Sequence, residues 1–367
     1  MSSKEYIDEL WGKIAHKIKI SSKKYGDTFP YIMQKEEYQD YHDIYWWTNG
    51  FWPGIMWLMY LQTTDDAYKK IAQSCEVKLD EALYGFDGLH HDVGFMWILS
   101  SLAHYKITKC KQSRKRALIA ASILTSRFNL NGRYIRAWND DHAGYAIIDS
   151  MMNIPLLYWA SEELNDVRFK SIAMAHADTI LENFLRQDNS VHHIVNFDSE
   201  SGSVIDFPRG QGYESGSSWS RGQAWAIYGF TLSYAHTKEK RFLDTAVAIA
   251  NYFIGNIADD YVPNCDFASP KMPIIKDTSA GAIAASGLVE LAKYVGEQDS
   301  KQYLEIALKI IQALDNGYGL WDNESDAILC GAAVQYHSTE HNASIIYGDY
   351  FFMEAVLKLR NNIEIFW

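Results

Sequence analysis

The segment FDGLHHDVGFMWIL, residues 86–99, joins a polar cluster to an apolar run that has no polar face. The cluster places His90, His91 and Asp92 side by side, although a packed helix start does not require two imidazoles and a carboxylate. A helix that is apolar on every side must be surrounded by protein. We therefore predict that the helix after Asp92 lies inside the fold and carries chemically reactive groups at its start.

Helical periodicity dominates the chain from end to end, and strand signals are weak. The pattern predicts twelve helices, at residues 4–20, 51–63, 65–83, 92–106, 111–128, 144–163, 166–185, 219–236, 239–255, 278–295, 299–316 and 346–360. Two longer connections remain. Residues 186–218 are typical of a small hairpin followed by a glycine-rich loop, and residues 318–345 of an irregular loop. Long loops in compact domains commonly form the lids or rims of functional sites.

The predicted helices are of two alternating kinds. Four of the first kind share an aromatic residue followed four positions later by alanine: Tyr68 with Ala72, Phe169 with Ala173, Phe242 with Ala246, and Tyr303 with Ala307. Such a pair lies on one helix face and allows a neighbouring helix to approach closely, so we assign these helices to an outer layer. Helices of the second kind are apolar nearly all round and belong to an inner layer.

Six outer and six inner helices in alternation predict an all-α fold, an (α/α)6 toroid or barrel of six helical hairpins. In such a ring the starts of the inner helices surround a central cavity at one end. No linker rich in proline, glycine or serine interrupts the chain, so we predict one catalytic domain, residues 1–367.

The composition excludes several classes of protein. The net charge of −12 disfavours a nucleic-acid partner, because phosphates require a basic surface. We find no signal peptide and no membrane-spanning segment, and therefore predict a cytoplasmic protein without a membrane partner. Four cysteines lie far apart without a CxxC pair, which favours reduced thiols over disulfides or a zinc site.

A second carboxylate, Asp149, lies in the apolar segment YAIIDSMMNIPLLYW, residues 145–159. Burying an ionisable group there costs several kcal/mol unless the group is paired or protonated. We predict that Asp149 and Asp92 face each other across one pocket. Aromatic residues beside glycines, as in WTNGFWPG (47–54) and WSRGQAW (219–225), fit a sugar-binding cleft, although most of the 52 aromatic residues are expected to fill the core.

Three segments carry a resemblance to a known family: HHDVGF around Asp92, IIDSMMNIPLL around Asp149, and SSWSRGQAWAIYGF at residues 217–230. Together they closely resemble the unsaturated glucuronyl hydrolases of glycoside hydrolase family 88, whose fold is an (α/α)6 barrel. Further blocks look like the same family: WTNGFWPGIMWL (47–58), AWND (137–140), HHIVNFD (192–198), DTSAGAIAASGL (277–288) and YGDYFFMEAVLKL (347–359). Family 105, the unsaturated rhamnogalacturonyl hydrolases, shares this fold and chemistry.

The resemblance implies a glycoside hydrolase that releases a 4,5-unsaturated uronic acid from the non-reducing end of oligosaccharides left by polysaccharide lyases, namely unsaturated disaccharides of the glycosaminoglycan type. In that chemistry the C4=C5 bond is a vinyl ether, which is protonated at C4 and hydrated at C5. The resemblance assigns the general acid and base to Asp149, and a burial-raised pKa suits that role. Asp92 would then stabilise positive charge near C5. No cofactor or metal is implied.

Other site residues follow from the resemblance one position at a time. His193 and Gln211 match residues around the unsaturated ring, and the planar fork of Arg221 suits the substrate carboxylate. The remaining matches are a polar neighbour of the acidic pair and three cleft tryptophans: His91, Trp47, Trp138 and Trp225. The sequence departs from the family at Asn49, where some members have Asp, and at Tyr347, where Trp is common.

The loop HSTEHNAS, residues 337–344, also departs from the family, because it lacks the Ser-x-Ser-x-Lys pattern that members acting on sulfated disaccharides use. This departure puts a preference for sulfated substrates in doubt, and the sequence leaves open whether the neighbouring sugar is sulfated. The sequence leaves open an unsaturated rhamnogalacturonyl hydrolase, a non-catalytic oligosaccharide-binding toroid and a polysaccharide lyase, and it is compatible with a monomer or a homodimer.

The residues themselves allow simpler roles. Asp92 can cap the helix that follows it, and Asp149 can bond a neighbouring turn. Arg221 can pair with an acid such as Asp149 or Glu214. The histidines of the two pairs, His90 with His91 and His192 with His193, can bind a metal with Asp92, which we do not expect because adjacent histidines do not easily reach one ion.

Overall fold

A computed structural model describes residues 2–34, 37–40, 43–139, 141–322, 324–361, 363 and 366–367. Asp140, the last residue of the AWND block, lies outside the described residues. The helices are α1 Ser3–Tyr25, α2 Phe51–Thr63, α3 Asp66–Lys78, α4 Asp80–Gly85, α5 Val93–Trp97, α6 Ala103–Thr108, α7 Lys111–Ser126, α8 Pro155–Leu164, α9 Val167–Phe184, α10 Ser220–Thr237, α11 Lys240–Asn256, α12 Thr278–Leu291, α13 Glu297–Tyr318 and α14 Ile346–Asn361. The strands are β1 Pro30–Gln34, β2 Glu37–Asp40, β3 Phe128–Asn129, β4 Tyr134–Ile135, β5 Tyr145–Ile147, β6 Ile194–Phe197 and β7 Val204–Asp206.

The inner helices form a closed ring. Helix α2 packs against α6, α5 against α8, α8 against α10, α10 against α12, α12 against α14, and α14 returns to α2. Each inner helix also packs on an outer helix, as α10 does on α11 and α12 on α13. This arrangement confirms the predicted (α/α)6 toroid.

Burial follows the two predicted kinds of helix. Every residue of the inner helix α12 is buried, whereas the outer helix α13 buries one stripe that includes Tyr303 and Ala307. The four alanines of the aromatic–alanine pairs are all fully buried. The aromatic side chain of each pair therefore fills space beside a close contact between helices, as the spacing of four residues indicates.

The structure corrects the predicted helix at 144–163. Residues Tyr145–Ile147 form strand β5, residues Ile148–Met152 form a 3₁₀ turn, and α8 begins only at Pro155. Proline disfavours helix in the residue before it, and β5 finds an antiparallel partner in β6, with Ile147 opposite Ile194. Asp149 therefore lies in a short turn between strand and helix, not inside a helix.

Other boundaries also differ from the predictions. The helix expected at 92–106 is continuous, but its middle, Ile98–Leu102, is a π-helical segment between α5 and α6. The region 65–83 is divided into α3 and α4. The hairpin expected within 186–218 is present as β6 and β7, with Asn196 opposite Asp206. The hairpin of β1 and β2 was missed.

The buried carboxylate of Asp349 connects two loop segments to the ring of inner helices. Asp349, near the start of α14, accepts hydrogen bonds from the Tyr38 hydroxyl at 2.6 Å and from the backbone N–H groups of Ile328 and Leu329 at 2.8 and 3.0 Å. Burial raises the pKa of Asp349 to about 6. The β1–β2 hairpin and the loop after α13 are thereby fixed over the inner helices. Among the described helices, none is both long and apolar enough to cross a bilayer.

Candidate active site

A cavity of about 530 Å³ opens where the inner helices begin. All of the predicted site residues line it: Trp47, His91, Asp92, Trp138, Asp149, His193, Gln211, Arg221 and Trp225. Tyr347, one of the family departures, lines it as well. The fold therefore gathers residues that are far apart in sequence. Some lie at or near the starts of inner helices, and others lie in the connecting loops: Trp138, His193 and Gln211.

The two acidic residues meet around one imidazole. Asp92 immediately precedes α5, and Asp149 lies in the 3₁₀ turn after β5. His91 Nε2 lies 3.4 Å from Asp92 Oδ2 and 3.9 Å from Asp149 Oδ1. The structure thus brings the two carboxylates into the same cavity, with a histidine between them.

Several polar atoms at this point are buried and have no hydrogen-bond partner among the described residues. They are both ring nitrogens of His91, Oδ1 of Asp92 and Oδ1 of Asp149. Buried polar atoms in folded proteins are nearly always hydrogen-bonded. Four such atoms in one cavity indicate a surface that is built to bind a polar molecule.

Burial dominates the ionisation of the acidic pair. It raises the pKa of Asp149 to about 7. Burial, and then the charge of Asp149, raises the pKa of Asp92 well above the usual carboxyl range, and Arg127 opposes this shift. Two neighbouring carboxylates cannot both ionise easily, so the pair titrates as a unit and retains a proton near neutral pH.

Two histidines of the cavity, His91 and His193, are neutral. Burial, followed by the charge of Arg127, lowers the pKa of His91 well below its usual range. Burial lowers the pKa of His193 to about 3. The Gln211 backbone N–H donates to His193 Nδ1 at 3.0 Å, so the ring proton of His193 is on Nε2. His193 can therefore donate one hydrogen bond from Nε2.

Arg221 makes more internal contacts than the sequence suggested. Its Nη1 lies 2.5 Å from Asp277 Oδ2, and its Nη2 donates to Gln211 Oε1 at 2.9 Å. The same two nitrogens also donate to the backbone oxygens of Ala333 and Val334. The acid that pairs with Arg221 is thus Asp277, the residue before α12, and not Asp149 or Glu214. Arg221 fixes two rim loops on the cavity wall.

The cavity tryptophans differ in exposure. Trp225 is 2% exposed and packs edge-on against Phe351, so it forms a floor. Trp138 is half-buried, and Trp47 packs against Tyr347 with ring centroids 5.1 Å apart. Trp57, Trp97 and Trp159 are buried in the core, as predicted.

Comparison with known proteins places the chain in a family. It is 35% identical over 357 residues to an unsaturated glucuronyl hydrolase of Bacillus sp. (strain GL1), with 94% of each chain covered. It is 32% identical to an unsaturated chondroitin disaccharide hydrolase of Streptococcus pyogenes serotype M1, with 100% of this chain and 94% of that relative covered. The chain belongs to the unsaturated glucuronyl hydrolase family. No family model matches the sequence.

Solved structures agree with this family assignment. The crystal structure of an unsaturated glucuronyl hydrolase from Streptococcus agalactiae superposes with a TM-score of 0.94 at 29% identity, covering 100% of this chain and 94% of that one. The Bacillus sp. GL1 enzyme gives a TM-score of 0.90 at 34% identity, covering 99% and 98%. Members of the unsaturated glucuronyl hydrolase family are glycosidases, so this chain is a hydrolase of that class.

Sequence reasoning missed Asn153, which joins the two halves of the acidic pair. Asn153 Oδ1 accepts the backbone N–H of Phe95 at 2.8 Å, and its Nδ2 lies 3.3 Å from the Asp149 carbonyl oxygen. Asn153 also lies beside the Asp92 side chain and acts to lower its pKa, against the effect of burial. Asp92 itself makes no capping bond to α5. The capping role proposed for Asp92 is therefore wrong, and Asn153 supplies the acceptor instead.

Sequence reasoning also missed Arg127, for which no motif gave a signal. All five of its N–H groups donate to uncharged acceptors: the backbone oxygens of Leu89, Arg136, Ala137 and Trp138, and Asn139 Oδ1. The Ala137 oxygen also accepts the backbone N–H of His91 at 3.1 Å. Arg127 therefore joins the loop before Asp92 to the loop that carries Trp138, and it places a positive charge behind the acidic pair.

One group of donors in the described part of the chain has the composition of a cation site. His91, Asp92 and Asp149 offer ligand atoms that all lie within 4.8 Å of one another. Resident metal sites usually hold the second ring nitrogen of a ligating histidine with a hydrogen bond, whereas neither nitrogen of His91 has a hydrogen-bond partner among the residues that the structure describes. The expectation that no metal is needed stays a prediction.

Proposed function

We propose that this protein releases a 4,5-unsaturated uronic acid from the non-reducing end of short oligosaccharides by hydrating the C4=C5 bond. The observation that carries the proposal is the pair of buried carboxylates, Asp92 and Asp149, around the neutral ring of His91 in a cavity with tryptophan walls. Hydration of a vinyl ether needs one group that gives a proton and then takes one from water, and such a pair supplies it.

In the first step, protonated Asp149 gives its proton to C4, and the electrons of the double bond form the new C–H bond. The cation that remains at C5 is shared with the ring oxygen. Water adds to C5 and returns a proton to the Asp149 carboxylate. The resulting hemiketal breaks its C5–O bond to give a ketone at C5 and a hemiacetal at C1, which expels the remaining sugar as an alcohol.

A pKa of about 7 suits Asp149 for this double role, because the group is protonated below neutrality and accepts a proton again near it. Asp92 holds the geometry of the pair. When the proton that the pair retains is on Asp149, the ionised Asp92 favours the positive charge that develops at C5. His193, through the proton on Nε2, and Gln211 hold the hydroxyl groups of the unsaturated ring.

We propose Arg221 as an electrostatic partner of the substrate carboxylate. Its guanidinium is 3% exposed and already pairs with Asp277, so its positive charge is partly compensated before substrate binds. Gln211 accepts a hydrogen bond from Arg221 and has amide N–H groups that can donate to the substrate carboxylate. The substrate carboxylate is thereby recognised without breaking the Arg221–Asp277 ion pair. Trp47 and Trp138 form the faces against which sugar rings stack.

The neighbouring sugar is proposed to be unsulfated. The segment that follows α13 lines the cavity through Val334 and Gln335, neither of which is charged. A sulfate normally requires a cation or several N–H donors. One solved relative is described as specific for heparin, and another is bound to the disaccharide dGlcA-GalNAc6S. This chain is expected to rank unsulfated disaccharides above sulfated ones.

The test uses purified protein, without added metal, and unsaturated disaccharides from chondroitin, hyaluronan, heparin and rhamnogalacturonan. The reaction removes the conjugated double bond, so ultraviolet absorbance falls as product forms. Asp149→Asn should lower kcat by about 10²–10⁴-fold, the usual contribution of a general acid. Asp43→Asn, which changes another acid of the same cavity, should lose far less.

The same assay separates the alternatives. Preference for the rhamnogalacturonan product would make the protein a family 105 type of hydrolase, and an increase in absorbance on intact polysaccharide would make it a lyase. Binding of the disaccharides without turnover would indicate a non-catalytic toroid. Full activity in Asp149→Asn would contradict the assignment of the acid.

A further inference from the structure

A fully buried histidine on the outer layer reaches the turn that carries Asp149. His176 lies on α9, and it contacts Ser150, the residue directly after Asp149. Both side chains are 0% exposed. His176 does not line the cavity and has no part in the reaction proposed above. A buried imidazole in this place therefore calls for a different explanation.

The hydrogen bonds of His176 have one consistent direction. The Ile135 backbone N–H can only donate, so it fixes His176 Nδ1, at 3.0 Å, as an acceptor. A neutral ring then carries its proton on Nε2 and donates it to Ser150 Oγ at 2.6 Å. The hydroxyl proton of Ser150 is left to donate to the Ile147 carbonyl oxygen at 2.5 Å. Every donor and acceptor in this chain of hydrogen bonds is thereby satisfied.

The neutral state of His176 is required for this order of bonds. A protonated ring would carry a proton on Nδ1, directly opposite the Ile135 N–H, and the two donors would repel. Burial lowers the pKa of His176 to about 3, so the ring is neutral at any pH at which the enzyme is expected to work. The hydrogen-bond chain through His176 therefore keeps one arrangement over the whole working pH range.

This hydrogen-bond chain holds the backbone on both sides of Asp149. Ile147 is the last residue of β5, two positions before Asp149, and Ser150 is one position after it. The backbone N–H groups of Asp149 and Ser150 lie near the Asp149 carboxylate and act against the effect of burial on its pKa. Fixing the Ser150 side chain on the Ile147 carbonyl oxygen and on His176 therefore holds the backbone on both sides of that carboxylate.

We propose that His176 is a positioning residue, which holds the Asp149 carboxyl group in place through Ser150 and so sets the rate of proton transfer. The proposal rests on the function proposed above. Asp149 lies in a five-residue turn between β5 and α8, and the regular hydrogen bonds of a long helix do not fix it. An error of about 1 Å in the place of a catalytic group can cost about 100-fold in rate.

Two substitutions separate the roles of the two imidazole nitrogens, the donor Nε2 and the acceptor Nδ1. Glutamine carries an amide nitrogen near the position of Nε2, so His176→Gln keeps a donor for Ser150 and loses the acceptor for Ile135. Asparagine carries an oxygen near the position of Nδ1, so His176→Asn keeps the acceptor and loses the donor. Both replace a ring with a smaller amide, which makes each a control for the packing loss of the other.

The expected result is a difference in kcat and not in stability. His176→Asn should lower kcat by about 10-fold or more with KM changed less than about threefold, whereas His176→Gln should stay near the wild-type kcat. The two variants should unfold at similar denaturant concentrations. Ser150→Ala should match His176→Asn, and the double variant should be no slower than either single one, because both remove the same bond.

Two results would overturn the inference. Equal kcat values in the asparagine and glutamine variants, with wild-type turnover intact, would reject His176 as a positioning residue and leave the proposed function standing. If the wild-type protein consumes none of the disaccharides, the proposed function fails, and crystal structures of the two variants then decide. An Asp149 carboxylate that keeps its place in His176→Asn would overturn the positional role.

Discussion

Substituting Gly94 by alanine should slow the enzyme by separating the two segments that carry the acidic pair. Gly94 lies in α5, two residues after Asp92, and faces the turn that follows Asp149. A Cβ atom at this position would lie 2.3 Å from Asn153 Cα and 2.6 Å from the Asn153 carbonyl oxygen. Both are backbone atoms, so no side-chain rotation can relieve the contact.

The magnitude follows from these distances. Ordinary van der Waals contact begins at 3.4 Å, so α5 and the Asn153 backbone must move apart by about 1 Å, which is expected to cost about 100-fold in kcat. Overpacking costs about 1–3 kcal/mol, and the better helix propensity of alanine offsets about 0.5–1 kcal/mol of it. The net loss of stability should therefore lie between about 0 and 2.5 kcal/mol.

The assay compares Gly94→Ala with Gly319→Ala in disaccharide turnover and in urea unfolding. A Cβ at Gly319 would lie 2.6 Å from the Asp315 carbonyl oxygen, a similar clash, but Gly319 follows α13 and does not line the cavity. The control should lose stability and keep kcat. If both variants keep kcat within twofold of the wild type while losing stability, close packing of the two segments does not matter for the reaction.

Three further outcomes are expected. The rate should fall as pH rises through about 7, because Asp149 loses the proton that it must donate; a rate that is flat into strong alkali would contradict the general-acid role. Chelation by EDTA should leave activity unchanged, whereas excess Zn²⁺ should inhibit by occupying His91, Asp92 and Asp149; loss of activity in EDTA would show a resident metal. Glu354→Leu should cost about 3–5 kcal/mol of unfolding free energy without a large change in kcat. Four buried donors lose their acceptor, those of Tyr228, Ser286, Tyr350 and Trp367, while Lys358 keeps Glu290 at 3.4 Å. Equilibrium unfolding in denaturant checks this, and a change below about 1 kcal/mol would show that these donors find other acceptors.

The layered fold could be predicted because its signal is local. Pairs such as Phe242 with Ala246 lie four residues apart on one helix, and an apolar run such as that of α12 shows burial directly. The acidic pair was found in the same way, since Asp92 and Asp149 are charges in apolar surroundings. The nine predicted residues share one cavity because the toroid brings the starts of its inner helices, and the loops between its helices, to one end.

What the sequence did not reveal depends on contacts between distant parts of the chain. Strand β5 replaces the first turn of a predicted helix because β6, almost fifty residues later, pairs with it. Arg221 pairs with Asp277, a partner that neither motif indicated. Asn153, Arg127 and His176 have no motif, and their roles are visible only through the atoms that they contact.

The sequence by itself therefore determined the helix layers, the ring and the identity of the two central carboxylates, because hydrophobic periodicity and charge pattern are properties of neighbouring residues. Only the tertiary structure decided how these carboxylates ionise and what holds them. A pKa depends on burial and on charges that come from other elements of the fold. Hydrogen-bond chains such as that from Ile135 to Ile147 through His176 exist only after those elements have packed.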